Sequence, residues 1–331
     1  MRFFLRLFQL ACFLAVLAGG LLFWVAVTPV RLSSSPLDFQ VQAGSSARSA
    51  ARQIAESGVG LDPRLFEAIA RITRNDAAIK AGSYEIEAGI TPWELLRKLT
   101  RGDVSQAEIA FIEGWNFRQL REKLNASPDL RHDSQFLSDQ EILQRISAAE
   151  SHPEGLFFPD TYLFGKQSSD LDLLARAYRA MKSRLAQEWE RRAPGLPYQQ
   201  PYQALIMASI VEKETGKAQD RPLIAAVFVN RLKRGMLLQT DPTVIYGMGT
   251  RFDGNLRRND LLADTPYNTY TRTGLPPSPI AMAGVASLQA ALHPAASDAL
   301  YFVARGDGSS HFSTSLDEHN RAVSRYQRGG H

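Results

Sequence analysis

The longest apolar stretch of the chain lies at its N-terminus. Residues 7–30 are apolar apart from Gln9 and Thr28, and they contain no charged side chain. Because a helix rises about 1.5 Å per residue, roughly 20 apolar residues are enough to cross the hydrocarbon core of a bilayer. The pattern therefore predicts a transmembrane helix over 7–30, with a short tail at 1–6 before it and a polar linker at 31–37 after it.

The flanking residues predict how this helix is oriented. Arg2 and Arg6 precede the apolar run, and basic residues favour the cytoplasmic side of a membrane. Trp24 lies near the other end, where interfacial aromatic anchors are found. A cleaved signal peptide would have an apolar core of only about 7–15 residues and then a small-residue cleavage site. The segment VTPVRLSSS lacks such a site, so we expect an uncleaved single-pass anchor with the remaining chain outside the cytoplasm.

A strand–glycine–helix pattern recurs three times after the linker, as VQAGSSARSAARQI, IEAGITPWELLRKL and FIEGWNFRQLREKL. In each copy a β-type segment reaches a glycine, a Ser, Thr or Asn follows two positions later, and small or apolar residues then recur four apart. Glycine permits the turn, the polar residue caps the helix, and the spacing gives the helix one buried stripe. The predicted glycine, cap and stripe positions are Gly44, Ser46, Ala50 and Ile54; Gly89, Thr91, Leu95 and Leu99; and Gly114, Asn116, Leu120 and Leu124.

The first two copies resemble LysM-type carbohydrate-binding modules, in which strands and a helix pair form a shallow sugar groove. This resemblance predicts a LysM-like α+β subdomain at 38–108. The remaining residues, 109–331, are predicted to form a second, mixed α+β domain, the candidate catalytic domain, with a buried catalytic helix. A strand, a glycine and a capped helix also occur in domains that serve only as spacers. Glycan binding by 38–108 and a spacer role both remain open at this point.

The second domain contains a helical segment that is apolar on every side and ends in two glutamates. In 202–216 (YQALIMASIVEKETG), residues 204–211 are apolar except for Ser209, which is typical of a buried helix. Glu212 and Glu214 follow directly. Burial disfavours the charged form of a carboxyl group, and a general acid must be protonated near neutral pH. The pattern fits such an acid, and it equally fits the solvated end of a core helix.

Polar and aromatic segments follow this helix. They read MLLQTDPTVIYGMG and TPYNTYTRTGLPPSPI, and then a predicted strand–turn–strand and helix, LYFVARGDGSSHFSTSLDEHNRAV. Aromatic rings pack on the faces of sugars, and Asn, Gln and Thr side chains bond to hydroxyl and N-acetyl groups. We therefore expect a glycan-binding cleft. Its predicted lining residues are Gln239, Thr240, Asp241, Tyr246, Tyr267, Asn268 and Tyr270.

Composition argues against several other classes of protein. The formal net charge is only +4, and no run of Lys and Arg indicates nucleic-acid binding. The single cysteine, Cys12, lies in the apolar N-terminal run, so no disulfide can form within the chain. The metal-binding patterns HExxH and CxxC are missing from the sequence, and we expect neither a metal nor another cofactor.

Five motifs, in order, resemble those of the endolytic murein transglycosylases, the MltG or YceG-like family. They are EGLFFPDTYLF, ASIVEKET, VFVNRLKRGMLLQTDPTVIYGMG, TPYNTYTRTGLPPSPI and YFVARGDGSSHFSTSLDEHNRAV. The resemblance covers nearly the whole chain, including the N-terminal anchor. It implies a lytic transglycosylase of the bacterial inner membrane, whose extracytoplasmic domain cleaves the MurNAc-β-1,4-GlcNAc bond of peptidoglycan and leaves 1,6-anhydro-MurNAc ends. Glycan strands are the implied substrate, and penicillin-binding synthases are possible partners in releasing nascent strands.

The resemblance also implies which residue is catalytic. Glu212 matches the family's catalytic glutamate in ASIVEKET, and it would serve first as the acid and then as the base. Glu214 is the second choice, because other lytic transglycosylases carry Glu followed by Ser, and Glu214-Thr215 is similar. Two alternatives remain. A conventional glycosidase would need a second carboxylate, for which Glu154 and Asp160 are candidates. A membrane-tethered peptidoglycan-binding scaffold would have no turnover.

Overall fold

The computed structural model describes residues 2–327 and shows a mixed α+β protein in two compact units. Among the described residues, the first unit comprises 2–109, 128–131 and 163–169, and the second comprises 110–127, 132–162 and 170–327. Each unit has helices and short strands of its own. The α+β class predicted from the sequence is confirmed.

The first unit begins with a long apolar helix, α1 (Arg2–Val27). Its segment Phe4–Val27 has a mean hydropathy of 2.5 and is long and apolar enough to cross a membrane. The helix ends three residues before the predicted boundary at residue 30. Pro29 explains this early end, because proline restricts the residue before it and cannot donate the next helical hydrogen bond. The Thr28 hydroxyl donates to the carbonyl of Trp24 at 2.6 Å in this last turn.

The rest of the first unit alternates short strands and helices around one hydrophobic core. Strands β1 and β3 pair antiparallel, as do β2 and β4, and β6 and β8 pair in parallel. The element bounds are β1 (Arg31–Leu32), β2 (Leu37–Val41), α2 (Ala47–Glu56), β3 (Val59–Gly60), α3 (Pro63–Ile72), β4 (Gly82–Ile86), α4 (Pro92–Arg101), β5 (Gln106–Ala110), β6 (Leu130–Arg131), β7 (Thr161–Gly165) and β8 (Ser168–Ser169).

The second unit is mainly helical, with one antiparallel hairpin near its end. Its elements are α5 (Phe117–Asn125), α6 (Asp139–Arg145), α7 (Asp170–Glu190), α8 (Pro201–Glu214), α9 (Arg221–Lys233), α10 (Asp241–Met248), a 3-10 helix (Gly249–Arg251), α11 (Arg258–Leu262), α12 (Val285–Leu292), β9 (Tyr301–Ala304), β10 (Ser310–Ser313) and α13 (Leu316–Tyr326). The predicted strand–turn–strand and helix at the end of the chain is therefore confirmed. Helix α8 lies at the centre of this unit, in contact with α7, α9, α10 and α12.

The three predicted strand–glycine–helix repeats are confirmed in their local geometry. Each predicted glycine has a positive φ, each predicted cap accepts a backbone N–H from the third residue after it, and each predicted stripe is completely buried. Thr91 forms a reciprocal capping box with Glu94, and Asn116 forms one with Gln119. Local capping chemistry therefore fixes where α2, α4 and α5 begin.

The segment PLIAAVFVNRLKR, at 222–234, predicts an amphipathic helix with one side in solvent. Helix α9 covers this segment up to Lys233, but its surroundings differ from that prediction. Six consecutive residues, from Ile224 to Val229, are all buried. The reason is that α8, α12 and strand β9 all contact this helix, so it has no broad face left for solvent. Periodicity identified the helix correctly and predicted its environment wrongly.

A matched pair of glycine substitutions should separate backbone strain from steric overlap. Gly155 has a φ of 75°, and an added Cβ would lie 2.4 Å from the Cβ of Pro279 and 3.1 Å from the carbonyl oxygen of Ala281. Gly195 has a similar φ of 71°, with nothing within 4 Å of an added Cβ. We expect Gly195→Ala to lower the free energy of unfolding by about 1–2 kcal/mol, through strain alone. Gly155→Ala should lose about 1–3 kcal/mol more, because overpacking adds to the strain. Urea unfolding measures both losses, and equal losses would contradict the predicted overlap.

Candidate active site

The C-terminal end of α8 carries both predicted glutamates. Residues 204–211 are buried, and the last turn brings the two carboxyl groups out of the core on different sides, since successive helical residues are about 100° apart. Lys213, which lies between them, is exposed and donates from Nζ to the carbonyl oxygen of Gly114 at 3.2 Å. Glu212 and Glu214 therefore meet different neighbours.

Glu212 is held by a cation and by a backbone amide. Its side chain is only 6% exposed, and its Oε1 lies 3.6 Å from Nη2 of Arg221 at the start of α9. Its Oε2 accepts a hydrogen bond from the backbone N–H of Gly284 at 3.0 Å. Glu212 therefore links the end of α8 to α9 and to the residue just before α12.

Glu214 has other neighbours, and its pKa is shifted. Burial raises the pKa of its carboxyl group above the ordinary value, a hydrogen bond from the Thr240 hydroxyl partly opposes this, and the nearby charge of Asp241 raises the pKa further. No cation contributes to the shift. Glu214 is therefore the glutamate of α8 whose surroundings favour the protonated form that a general acid needs.

Several predicted cleft residues form the support of Glu214. The backbone N–H of Thr240 donates to the Thr269 hydroxyl at 3.1 Å, and the N–H of Gln239 donates to the Thr269 carbonyl at 3.0 Å. The Tyr270 hydroxyl donates to Oδ1 of Asp241. These bonds tie the segment before α10 to the segment at 267–270, and together they fix the hydroxyl that contacts Glu214.

Two predicted cleft residues have internal partners. Asn268 is completely buried, and its Nδ2 donates to the carbonyls of Leu261 at 3.0 Å and Ala263 at 2.7 Å. The Gln239 side chain accepts from Nη1 of Arg231 at 3.3 Å. Asn268 thus holds its loop together, and its burial leaves no part of it available to a ligand. Turn-forming side chains and ligand-binding side chains look alike in a polar loop sequence, which is why the prediction grouped them.

A cavity of about 1080 Å³ lies in the second unit and reaches α8 at Lys213. Its other walls come from the start of α5, from 152–154, from α10 and from the 3-10 helix. Tyr246 is the predicted cleft residue that lines this cavity directly. The lining side chains also include Asn116, Arg118, Gln119, Arg121, Asp139, His152, Glu154, Pro242, Ile245, Thr250 and Phe252.

Glu154 is the buried acid of this cavity. Glu154 is only 3% exposed. The backbone N–H of Phe117 donates to both of its carboxylate oxygens, to Oε1 at 3.0 Å and to Oε2 at 3.1 Å. Burial raises the pKa of Glu154 to about 7, against the opposing effects of the Phe117 N–H and a hydrogen bond with Tyr246. Tyr246 packs edge-on against Tyr267, with ring centroids 4.8 Å apart, and the Tyr267 hydroxyl bonds to Ser278 at 2.7 Å. The cavity therefore has a connected polar wall.

Of the two candidates for a second carboxylate, only Glu154 lines this cavity. Asp160 is exposed, and its Oδ1 accepts the backbone N–H of Thr161 at 2.8 Å. Arg221 and Gly284 were not predicted, because nothing in the sequence around an arginine or a glycine indicates that it will contact Glu212. Their roles depend on how α9 and the start of α12 pack against α8.

Comparison with known proteins agrees with this architecture. The sequence matches the YceG-like family over residues 39–325. A protein of Bacillus subtilis named endolytic murein transglycosylase is 32% identical over 311 residues, which cover 89% of this chain and 86% of the relative. A protein of the same name from Streptococcus pneumoniae is 26% identical over 355 residues, covering 95% of this chain and 64% of that protein. A crystal structure of a yceG-like protein from Listeria monocytogenes has a TM-score of 0.54 at 30% identity, covering 87% of this chain and 99% of that one. This chain belongs to the YceG-like family.

Proposed function

We propose that this protein is an endolytic lytic transglycosylase that cleaves the glycan strands of peptidoglycan. The observation that carries this proposal is a buried carboxyl group with a raised pKa, Glu214, at the end of the central helix of a YceG-like chain. A large cavity reaches the same helix at Lys213, the neighbouring residue. The name of the Bacillus subtilis relative, which this chain matches over most of its length, supports the same reaction.

We assign the acid to Glu214 rather than to Glu212, which reverses the order that the sequence favoured. Glu214 is desolvated and adjoins the negative charge of Asp241, so its protonated form is favoured. Glu212 instead contacts Arg221 and the backbone N–H of Gly284, and both contacts suit it to a structural role.

In the proposed reaction, Glu214 gives its proton to the glycosidic oxygen as the bond between that oxygen and the anomeric carbon of MurNAc breaks. The C6 hydroxyl oxygen of the same MurNAc then bonds to its own anomeric carbon, and the carboxylate of Glu214 takes the hydroxyl proton. One carboxyl group thus acts as the acid and then as the base, and no water is consumed. An attacking group within the substrate has a high effective concentration, which removes the need for an activated water.

Glu212 is proposed to position the site. Its contacts join the end of α8 to Arg221 of α9 and to Gly284 just before α12. Asp241, Tyr270 and the residues around Thr269 hold Thr240 against Glu214 in the same way.

The cavity is proposed to bind the glycan strand. Tyr246 supplies an aromatic surface for a sugar ring, and Asn116 and Gln119 supply amide groups on the wall. Arg118 and Lys213 suit the carboxylates of peptidoglycan stems.

We also propose that α1 spans the inner membrane with its N-terminus in the cytoplasm. The chain after α1 would then be periplasmic, and residues 38–108 would serve as a LysM-like glycan-binding module. With this topology, the protein could release nascent glycan strands beside penicillin-binding synthases at the outer face of the membrane.

Digestion of purified peptidoglycan tests the proposal against a binding scaffold. The full-length protein in detergent should release soluble muropeptides from sacculi, and a Glu212→Gln, Glu214→Gln double variant should bind sacculi and release none. If the wild-type protein binds sacculi and releases nothing, the scaffold alternative is correct and the enzymatic proposal fails.

The Thr240 hydroxyl offers a test of which protonation state is active. It donates to Glu214 and so lowers the pKa of that carboxyl group. Thr240→Val removes the donor, which should raise the pKa and move the alkaline limb of the rate profile to higher pH, because the protonated acid persists longer. Thr240→Ser keeps the hydroxyl and should leave the limb in place. A limb that does not move in Thr240→Val would mean that another group limits the rate.

A further inference from the structure

The last turns of α1 pack against the folded part of the first unit. Leu22, Val25 and Ala26 pack against its hydrophobic core, and α1 contacts both α3 and α4. Leu22 lies five residues before the helix ends at Val27, which is about 7.5 Å along the helix axis. Part of the folded first unit therefore lies beside the last apolar turns of α1, and not only past the C-terminal end of this helix.

Helix α3 runs back along α1 toward these turns. In the β1–β3 ladder, Arg31 pairs with Gly60, shortly before α3 begins. Near the other end of α3, Ile69 lines a cavity of about 270 Å³ together with Trp24 of α1. The chain thus leaves α1 and returns beside it, so the C-terminal end of α3, at Ile72, lies alongside the apolar segment of α1.

Large apolar side chains are exposed at this place. Ile72, the last residue of α3, is 68% exposed. Trp93, in the first turn of α4, is 36% exposed, and the preceding residue, Pro92, lines the same small cavity as Trp24. Trp24 is itself 62% exposed. Exposing these side chains to water is unfavourable, whereas the interface of a bilayer accepts Trp and aliphatic side chains.

Cationic side chains lie beside the same residues. Arg74 follows Ile72 by two positions, and Arg97 follows Trp93 by one helical turn on α4; both are exposed. Arginine binds phosphate oxygens in a bidentate manner, and basic residues beside a membrane are attracted to anionic lipid headgroups.

We propose that Trp24, Ile72, Arg74, Trp93 and Arg97 form a membrane-contact face, by which the first unit is inserted into the outer interface of the same bilayer that α1 crosses. The apolar members enter the region below the headgroups, and the arginines bind lipid phosphates. The first unit then has a fixed height and orientation on the membrane instead of moving freely on a tether. The inference rests on the proposed anchoring by α1, and it is independent of the reaction assigned to the second unit.

Spin labels on single cysteines test this face in the full-length protein. In a Cys12→Ser background, labels are placed at Ile72→Cys and Trp93→Cys, and the protein is reconstituted in nanodiscs that contain anionic lipid. A label at Leu14→Cys, within α1, reports whether the anchor is inserted. The matched control is Arg52→Cys on α2, because the Arg48–Glu67 ion pair places α2 on the opposite side of α3 from Ile69 and Ile72.

The collision rates of the labels with oxygen and with a water-soluble nickel complex give the result. We expect the labels at 72 and 93 to have high oxygen access and several-fold lower nickel access than the label at 52. If the labels at 72 and 93 are as accessible to nickel as the label at 52, while the label at 14 is in lipid, then α1 is inserted in the membrane but the proposed membrane-contact face is wrong. If they are shielded from both reagents, a protein surface covers the face, and the proposal is wrong in its choice of partner. Peptidoglycan digestion by the same samples shows separately whether the proposed enzymatic activity holds.

Discussion

Glu214→Gln is expected to lower the rate of glycan cleavage by about 10²–10⁴-fold, which is the usual contribution of a general acid. The amide cannot supply the proton that the leaving oxygen needs. It can still accept the hydrogen bond from Thr240, so the end of α8 should keep its structure. The release of muropeptides from sacculi, followed by chromatography at fixed protein concentration, measures the loss.

Two variants make this result specific. Glu190→Gln changes an exposed glutamate at the end of α7 and should digest sacculi at the wild-type rate. Glu212→Gln keeps the proposed acid and should lose less activity than Glu214→Gln, although it leaves Arg221 without its carboxylate partner. If Glu212→Gln is the more damaged variant and remains folded, the acid is Glu212, as the family motif suggested.

The second large effect concerns stability at the other buried acid. The pKa of Glu154 is about 7 in the folded protein, against an ordinary value of 4.5 for an exposed glutamate. Between these two values the unfolded chain has lost the proton that the folded protein keeps. The free energy of unfolding should therefore fall as the pH rises, by about 1.4 kcal/mol per pH unit. The contribution should reach about 3 kcal/mol above pH 7, where the folded state must also hold an ionised Glu154.

Glu154→Gln isolates this contribution from that of other groups, including Glu214. The glutamine is neutral at every pH, so the variant should lose less stability than the wild type between pH 5 and pH 8. The difference should be about 2.5 kcal/mol, because a small part of the Glu154 contribution is already lost at pH 5. Urea unfolding at both pH values, followed by tryptophan fluorescence, gives this difference. Identical pH dependence in the two proteins would show that Glu154 is not held in its neutral form.

Local features of the fold followed directly from the sequence. The capping boxes at Thr91 and Asn116, the buried stripe of each capped helix and the apolar helix that leads to Glu212 all arise from residues within a few positions of one another. Such features depend on backbone hydrogen bonds and on side-chain spacing, which a single segment determines by itself. Even the early end of α1 had a local signal, in Pro29.

The environments of the two glutamates could not be predicted in this way. Glu212 meets Gly284, which is 72 positions along the chain, and Glu214 meets Thr240, which is 26 positions along. Whether a carboxyl group is charged or neutral depends on such partners and on burial, and neither is a property of the motif ASIVEKET. The sequence alone therefore led to a proposed site at the end of α8, whereas the proposed choice between its two glutamates depends on packing.

The nature of the new chain end in the product tests the central claim most directly. Purified peptidoglycan is digested by the full-length protein in water enriched in heavy oxygen, and the fragments are analysed by mass spectrometry. Intramolecular attack by the C6 hydroxyl predicts 1,6-anhydro-MurNAc ends that contain no heavy oxygen. Reducing MurNAc ends that carry heavy oxygen would show that water is the nucleophile, and the protein would then be a conventional glycosidase.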